Sequence, residues 1–207
     1  MTYGCFAFPH RNPYTGHIMD ALGKLFGSPA RLKILRLFLF NQETMFVASE
    51  ICERTGLGKD AVRVELKTLT ATTLLRKRRK RVTVQYQVNQ SFEYLPALTT
   101  FIRETTSVRP REIVAELRRS GALQIVALSG HFTGTSESQI DLLIVGDNLD
   151  ERILARTVRA LEAEFGREVR YASFSTEDFR YRFGVYDRLL RDVFDYPHRL
   201  LIDKIGL

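Results

Sequence analysis

The sequence contains no tryptophan and only two cysteines, Cys5 and Cys52, among its 207 residues. Because Cys52 lies within an apolar helical pattern, neither a disulfide framework nor a thiolate metal site is expected. The four histidines, at positions 10, 17, 131 and 198, show no spacing typical of metal ligands. These residues therefore predict no bound metal.

Long apolar runs are also missing, since no stretch approaches the roughly 18 to 20 residues that span a bilayer. Residues 1–17 lack the basic region and the long apolar run of a secretory signal. Residues 1–18 show no periodicity, and we interpret them as an N-terminal extension. We expect a soluble, cytoplasmic protein without a membrane partner, folded as one large or two small domains.

Positive charge is confined to the first half of the chain. Residues 1–106 carry 16 Lys plus Arg against 8 Asp plus Glu, whereas residues 107–207 carry 15 against 16. A net charge of +8 followed by −1 gives the total of +7. This asymmetry predicts a polyanionic partner such as nucleic acid for the N-terminal part, bound through phosphate neutralisation.

The basic run RKRRKR at residues 76–81 lies between Leu74-Leu75 and the alternating stretch VTVQYQV. An apolar stretch followed by an alternating one predicts two antiparallel strands with the charges at their turn. A solvated face or a disordered tail is the alternative interpretation of such a run. The hairpin interpretation depends on what precedes the run.

Two short helices joined by a tight turn are predicted directly before the basic run. Ser28 and Pro29 are typical of the start of a preceding helix, in which Ile34, Leu35, Phe38 and Leu39 form an inward stripe. Gly56 follows the next helix where a left-handed residue is favoured. A further helix runs from about residue 59 to 71, with Val62, Leu66 and Leu69 at core spacing. This order is typical of a helix-turn-helix.

Residues 20–104 resemble the winged-helix DNA-binding domains of bacterial transcription regulators of the ArsR-like and MarR-like groups. The resemblance rests on FGSPARLKILRLF, VASEICERTGLGKDAVRVELKTL and LLRKRRKRVTVQYQVN. It implies a helix that reads bases in the major groove and a basic wing that contacts phosphates or the minor groove. It also implies double-stranded DNA and a homodimer as partners. The DNA-binding residues expected are Lys59, Asp60, Arg63, Lys67, Arg76, Lys77, Arg78, Arg79, Lys80 and Arg81.

Two of these residues also have a simpler interpretation. Asp60 can favour the positive end of its helix, and Lys67 can be solvated without any partner. RNA is a third candidate partner for the wing. A further helix near residues 96–104 places Leu98, Phe101 and Ile102 on one side, against the first helix, the other domain or a second subunit.

The composition of residues 105–110 indicates a linker, and the following sequence alternates strands and helices. We predict an α+β fold with two domains, a winged helix-turn-helix at residues 19–106 and a small α/β domain at residues 107–207. Phe179, Phe183 and Tyr186 have helical spacing and are predicted to pack in the core.

The stretch LSGHFTGTSESQIDLLIVGD resembles the signature of the nucleotidyltransferase superfamily. In that family the turn holds nucleotide phosphates, and acidic residues on neighbouring strands hold two Mg²⁺ ions. Ser129, Gly130 and Gly134 correspond to the turn, and Asp141 to the second acid. These four residues form the expected nucleotide-like pocket.

The acidic set of this domain is incomplete. Gln139 occupies the position of the first acid, and Arg170 lies near the place of the third. The domain is therefore predicted to be catalytically inactive and to serve dimerisation or effector binding, with no cofactor required. Nucleotide or Mg²⁺ would be a ligand only if binding is retained. Alternatively, Glu137, Asp147 or Glu168 completes an active Mg²⁺-dependent nucleotidyltransferase that the winged helix recruits to its substrate.

Two further residues are ambiguous. Asp141 can accept hydrogen bonds from the Ser129 to Gly134 turn in a purely structural role. His131 lies beside this turn, where a surface or turn hydrogen bond is expected.

Overall fold

The computed structural model describes residues 21–80, 82–106, 110–135 and 138–207. The N-terminal extension, Arg81 and Glu137 lie outside the described residues. No helix in the described part of the chain is long and apolar enough to cross a membrane. The fold mixes helices with two β-sheets, as expected for the α+β class.

The N-terminal half is built around one helix, α2, which is buried on nearly every side. The elements here are α1 (Ala21–Leu25), α2 (Pro29–Phe40), β1 (Phe46–Val47), α3 (Ala48–Thr55), α4 (Lys59–Ala71), β2 (Leu75–Lys80), β3 (Thr83–Val88) and α5 (Leu95–Thr105). The Ser28 side chain accepts a hydrogen bond from the Arg31 amide, 3.2 Å away, and caps α2. The predicted stripe is buried, but Leu32 and Leu37 are buried as well.

Helices α3 and α4 are joined by a short turn that begins at Gly56. This glycine has φ +67°, in the left-handed region, so it ends α3 as the sequence predicts. Val62, Leu66 and Leu69 of α4 are all buried against the N-terminal core. One face of α4 is thereby fixed inward.

Strands β2 and β3 form the predicted antiparallel hairpin, but the charges are not at its turn as expected. The cations from Arg76 to Lys80 lie within strand β2 itself, because each of them pairs with a residue of β3. Leu75 lies opposite Val88 at the base of the hairpin, and Lys80 lies opposite Thr83 near its turn. The sequence did not indicate β1, which pairs with β3 and gives a three-stranded sheet of order β1-β3-β2. Two residues are too few for an alternating pattern.

The C-terminal half holds a four-stranded sheet of order β6-β5-β4-β7. Its elements are α6 (Pro110–Leu117), β4 (Ala122–Leu128), β5 (Leu142–Asp147), α7 (Glu151–Phe165), β6 (Tyr171–Phe174), α8 (Thr176–Gly184), α9 (Arg188–Phe194) and β7 (Arg199–Asp203). Strands β5 and β6 are parallel, and the other pairs are antiparallel. The sequence indicated β7 only as a short terminal segment.

The predicted aromatic core of the second half is only partly right. Phe179 is buried, but Phe183 is 45% exposed and Tyr186 is 80% exposed. The helix α8 ends at Gly184, and Tyr186 adopts a left-handed φ of 56° in the turn that follows. Helical spacing therefore does not extend to Tyr186, although the ring of Phe183 stacks on that of Phe179 at 5.5 Å.

Among the described residues, the hydrophobic core forms three clusters. One is built from residues between 32 and 102, and the other two flank the C-terminal sheet with residues between 113 and 202. The division into domains at residues 106 and 107 stays a prediction.

The two halves meet where the end of α7 contacts α2. Gly166 adopts φ +71° there, and a Cβ atom at this position would overlap the backbone of Arg36 and Leu37. The Asn41 side chain donates a hydrogen bond to the Gly166 carbonyl over 2.7 Å. Lys33 pairs with Glu164 beside this contact. The close backbone approach requires glycine at position 166.

Candidate functional site

The basic hairpin, residues 75–88, is buried at its base, at Leu75 and Val88, and becomes exposed toward its turn. Leu75 is the buried residue of β2, whereas the five cations from Arg76 to Lys80 are exposed. Val82, near the turn, is 89% exposed. Neither strand contains an acidic residue. No acidic side chain of the two strands therefore neutralises the positive charge of the hairpin.

Alternation along β2 divides the cations between two faces of the hairpin. Arg76, Arg78 and Lys80 lie on one face, opposite polar residues of β3, and Lys77 and Arg79 lie on the other. The second face also carries residues that pack against the N-terminal core, namely Leu75, Tyr86 and Val88. The face of Arg76, Arg78 and Lys80 is therefore the more open one for contact with an extended polyanion.

Helix α4 carries the four predicted recognition residues on its solvent side. Lys59, Asp60, Arg63 and Lys67 are exposed. Asp60 lies 3.4 Å from Arg63, but both side chains are more than 80% exposed, so this ion pair constrains neither of them strongly. The four residues are exposed because the opposite face of α4 is buried against the N-terminal core.

The other acid of α4, Glu65, points inward. Its side chain is 7% exposed and accepts a hydrogen bond from Arg31 Nε at 2.7 Å, which links α4 to α2. The carboxylate of Glu65 therefore does not reduce the positive charge of the exposed face of α4. No local sequence pattern indicates this contact, because its partners lie on separate helices.

Val64 is an apolar residue that the sequence analysis did not select. It is 56% exposed on α4, between Arg63 and the next turn of the helix. An exposed apolar side chain on such a surface can contact a thymine methyl group. An apolar residue among the charged residues of α4 was the sequence feature that could have indicated it.

Asp141 lies just before β5, where its carboxylate is 1% exposed and fully engaged. Oδ1 accepts from the His131 amide at 2.8 Å and from Arg170 Nη2 at 2.8 Å. Oδ2 accepts from the Arg170 amide and from Arg170 Nε, both at 3.0 Å. The guanidinium of Arg170 thus binds the carboxylate through two nitrogens, the geometry that is strongest for this pair.

The hydrogen bonds control the ionisation of this pair. Burial by itself raises the pKa of Asp141, but hydrogen bonds from Arg170 and from the His131 amide outweigh it and hold the pKa below its ordinary value. The same contact with Asp141 raises the pKa of Arg170. Asp141 and Arg170 are therefore charged together at neutral pH.

The predicted turn is folded mainly onto Asp141. The Ser129 side chain is fully buried and donates its hydroxyl to the Ile140 carbonyl. Gly130 has φ +53°, and a Cβ atom there would overlap Asp141 Oδ1. Gly134 has φ +80° and open space beside its Cα. Of the four predicted pocket residues, Gly134 borders open space and Asp141 lines a cleft. However, the polar side-chain atoms of Ser129 and Asp141 already bind Ile140, His131 and Arg170.

Two of the acids that could have completed a metal site, Asp147 and Glu168, have partners of their own. Asp147 lies at the far end of β5 and accepts hydrogen bonds from the amide and the hydroxyl of Thr176. Glu168 pairs with Arg54 of α3. Within the part of the chain that the structure describes, no three His, Cys, Asp or Glu side chains are grouped to hold a metal ion.

His131 contributes its amide to Asp141 and leaves its ring at the surface. Burial lowers the pKa of the imidazole, Asp141 opposes this effect, and Arg167 and Arg170 lower the pKa further. The ring is therefore neutral at pH 7.

The sequence matches no protein-family profile, no curated protein and no solved structure. Its function must accordingly be inferred from the geometry and charge of its own residues.

Proposed function

We propose that this protein is a sequence-specific DNA-binding transcription regulator. In this proposal α2, α3, α4 and the basic hairpin form a winged helix-turn-helix that reads duplex DNA. The C-terminal half is a nucleotidyltransferase-like domain that serves dimerisation or effector binding.

The observation that carries the proposal is the basic hairpin. Five exposed cations from Arg76 to Lys80 lie on β2, the edge strand of a three-stranded sheet, and neither strand of the hairpin has an acid of its own. A structural role would bring such residues into ion pairs or against the core. Contact with phosphates accounts for an accumulation of interchangeable cations, because each contact releases counterions from the polyanion.

Helix α4 supports the sequence-specific part of the proposal. Its buried face fixes its orientation, and its outer face presents Lys59, Arg63 and Lys67. Arginine and lysine side chains on such a helix can bind guanine edges in the major groove, and Val64 can contact a thymine methyl. The hairpin then positions the protein, and α4 selects the site.

The Asp141–Arg170 contact supports a C-terminal domain without Mg²⁺-dependent transferase activity. A bidentate guanidinium already neutralises the buried carboxylate, and Asp147 and Glu168 bind elsewhere. Ligation of a divalent cation would require this pair to separate. Transfer of labelled nucleotide in the presence of Mg²⁺, lost in Asp141→Asn, would contradict this part of the proposal.

Selection of bound duplexes from a random-sequence DNA library tests the regulator proposal. We expect enrichment of one site, with a palindromic form if the protein binds as a dimer. Structured RNA as competitor should displace the protein from its site only weakly. Failure to enrich any sequence, or equal affinity for structured RNA, would contradict sequence-specific DNA binding.

A further inference from the structure

A cleft of about 320 Å³ opens between the N-terminal helices and the C-terminal sheet. Both halves line it with arginine and phenylalanine side chains, namely Arg103, Arg167, Arg199, Phe40, Phe132 and Phe165. A neighbouring cleft of about 460 Å³ shares Phe40 and Arg167 with it. The 320 Å³ cleft adjoins the Ser129 to Gly134 turn, since His131, Phe132 and Asp141 also line it, and His131 borders both clefts.

The carboxylates of the two clefts are already engaged. Asp141 binds Arg170, and Glu168 binds Arg54. Among residues 21–80, 82–106, 110–135 and 138–207, no carboxylate forms an ion pair with Arg103, Arg167 or Arg199. Three guanidinium groups thus border one cleft without forming an ion pair in the described chain, although Asp141 lies close enough to interact with Arg167.

Arg167 is the least solvated of the three. Its guanidinium lies over the Phe40 ring, 4.3 Å from the centroid, and is half-buried. Burial lowers the pKa of Arg167 and the positive charge of Arg103 lowers it further, whereas the Asp141 carboxylate opposes both effects. The folded chain therefore holds two like charges near each other, a repulsion that a bound anion would relieve.

We propose that this arginine cleft binds a small organic molecule that carries a dianionic oxyanion group, either a phosphate monoester or a pair of carboxylates. Guanidinium groups bind both kinds of oxyanion in bidentate geometry. The rings of Phe40, Phe132 and Phe165 supply the apolar surface on which the body of the ligand packs. The cleft volume falls at the lower end of the range for small-ligand pockets, roughly 300 to 1,000 Å³.

The phenylalanine rings distinguish this cleft from the basic hairpin. A DNA backbone needs exposed cations along an open surface and gains little from apolar rings within a concavity. The arginine cleft combines three cations with three rings on a concave wall, a combination that suits one compact ligand. It therefore complements the hairpin and does not extend it.

The ligand would bridge the two halves of the chain. Arg103 and Phe40 belong to α5 and α2, whereas Arg167 and Arg199 belong to the C-terminal half. Since α2 also packs against α3 and α4, a ligand here contacts the support of the proposed recognition helix. Its role as an effector rests on the proposed DNA-binding function, but its binding does not.

Calorimetric titration of the full chain, without DNA and at fixed ionic strength, tests the site. The probes are adenosine 5′-monophosphate and citrate, which separate a phosphate ligand from a carboxylate ligand, and adenosine serves as the uncharged control. We expect saturable binding of at least one anion and none of adenosine. Arg103→Gln combined with Arg199→Gln should weaken that binding roughly tenfold or more, since each bond to a charged group is lost.

Arg156→Gln is the matched control, because it removes an exposed arginine of α7 that does not line the cleft. It should bind the anion as the unmodified chain does. Absence of saturation by both anions up to about 10 mM would overturn the proposal, as would equal binding by the double variant. Weaker DNA binding by the double variant without any anion binding would assign the arginines to DNA and also overturn it.

Discussion

The basic hairpin and the Asp141 site use their charges in opposite ways. Five cations of β2 are exposed without an acid on either strand, whereas the Asp141 carboxylate is 1% exposed and accepts four hydrogen bonds. Charges that are satisfied within the chain stabilise it. Charged side chains that remain solvated are available to a partner. The exposure of a charged side chain and the absence of an ion pair therefore indicate a candidate binding surface.

The same distinction applies around the arginine cleft. Arg170 is paired with Asp141, while Arg103, Arg167 and Arg199 border the cleft without an ion pair in the described residues. Composition gives the C-terminal half a net charge near zero, which conceals the positive charge that its Arg167 and Arg199 place at the cleft. Only the fold shows which arginines remain available.

Removal of the buried carboxylate is expected to have the largest effect on stability. Asp141→Ala should lower the free energy of unfolding by about 3 kcal/mol, because it leaves Arg170 and the His131 amide without their acceptor. Asp60→Ala, which removes an exposed carboxylate from a surface ion pair, should change stability little. Urea unfolding compares the two variants, and equal effects would contradict the structural role of Asp141.

The junction between the halves can be tested with two glycines of the same conformation. Gly166 and Gly56 have φ of +71° and +67°, but only at Gly166 would a Cβ atom overlap backbone, that of α2. Gly56→Ala should cost about 1 to 2 kcal/mol from the left-handed conformation alone. Gly166→Ala should cost about 1 to 3 kcal/mol more through that overlap.

Thermal or urea unfolding measures both glycine variants. A Gly166→Ala variant no less stable than Gly56→Ala would show that the end of α7 does not pack on α2. The arginine cleft, which is lined by residues of both halves, would then not form as described.

Sequence selectivity should depend on α4. Arg63→Ala should reduce discrimination at one base pair of the selected site by about 1 to 3 kcal/mol, with a smaller effect on DNA of unrelated sequence. Arg111→Ala removes an equally exposed arginine from α6 and should leave discrimination unchanged. Competition between the selected site and its single-base variants provides the measurement. A uniform loss across all sequences would place Arg63 among the phosphate contacts.

The smallest expected effect is the acid dependence of the Asp141 contact. Because the pKa of Asp141 is lowered on folding, its contribution to stability is complete above the ordinary value for an aspartate and is lost as pH falls through the folded-state value. The stability difference between the unmodified chain and Asp141→Asn should therefore narrow below roughly pH 4. If the stability difference between the two proteins stays constant down to pH 2, the effect of the substitution comes from the shape of the side chain and not from its charge.

Local patterns were sufficient to predict most helices and strands. The Ser28 cap, the left-handed Gly56 and the alternation of residues 82–88 each depend on neighbouring residues. Strand β1 is too short to show an alternating pattern. Strand β7 is recognised only by its pairing with β4, which is distant in the sequence. Contacts between distant segments were therefore the part that the sequence did not predict.

The candidate sites show the same limit. Exposure of the predicted residues on α4 follows from core spacing, and the sequence placed Arg170 near the acidic position. It did not indicate that Arg170 would bind Asp141 through two nitrogens, or that Glu65 would bind Arg31. The arginine cleft combines residues 103, 167 and 199, which no local pattern can relate.

The salt dependence of DNA binding tests the central claim most directly. Fluorescence anisotropy with the selected duplex gives the slope of log K against log salt concentration for the unmodified chain and for the triple variant Arg78→Gln, Arg79→Gln, Lys80→Gln. Loss of three phosphate contacts should make the slope shallower by about 2.7, at roughly 0.9 per contact. The triple variant Arg152→Gln, Arg156→Gln, Arg159→Gln removes the same charge from exposed positions of α7 and should keep the original slope. An unchanged slope in the hairpin variant, or binding by the unmodified chain that is insensitive to salt, would contradict the account.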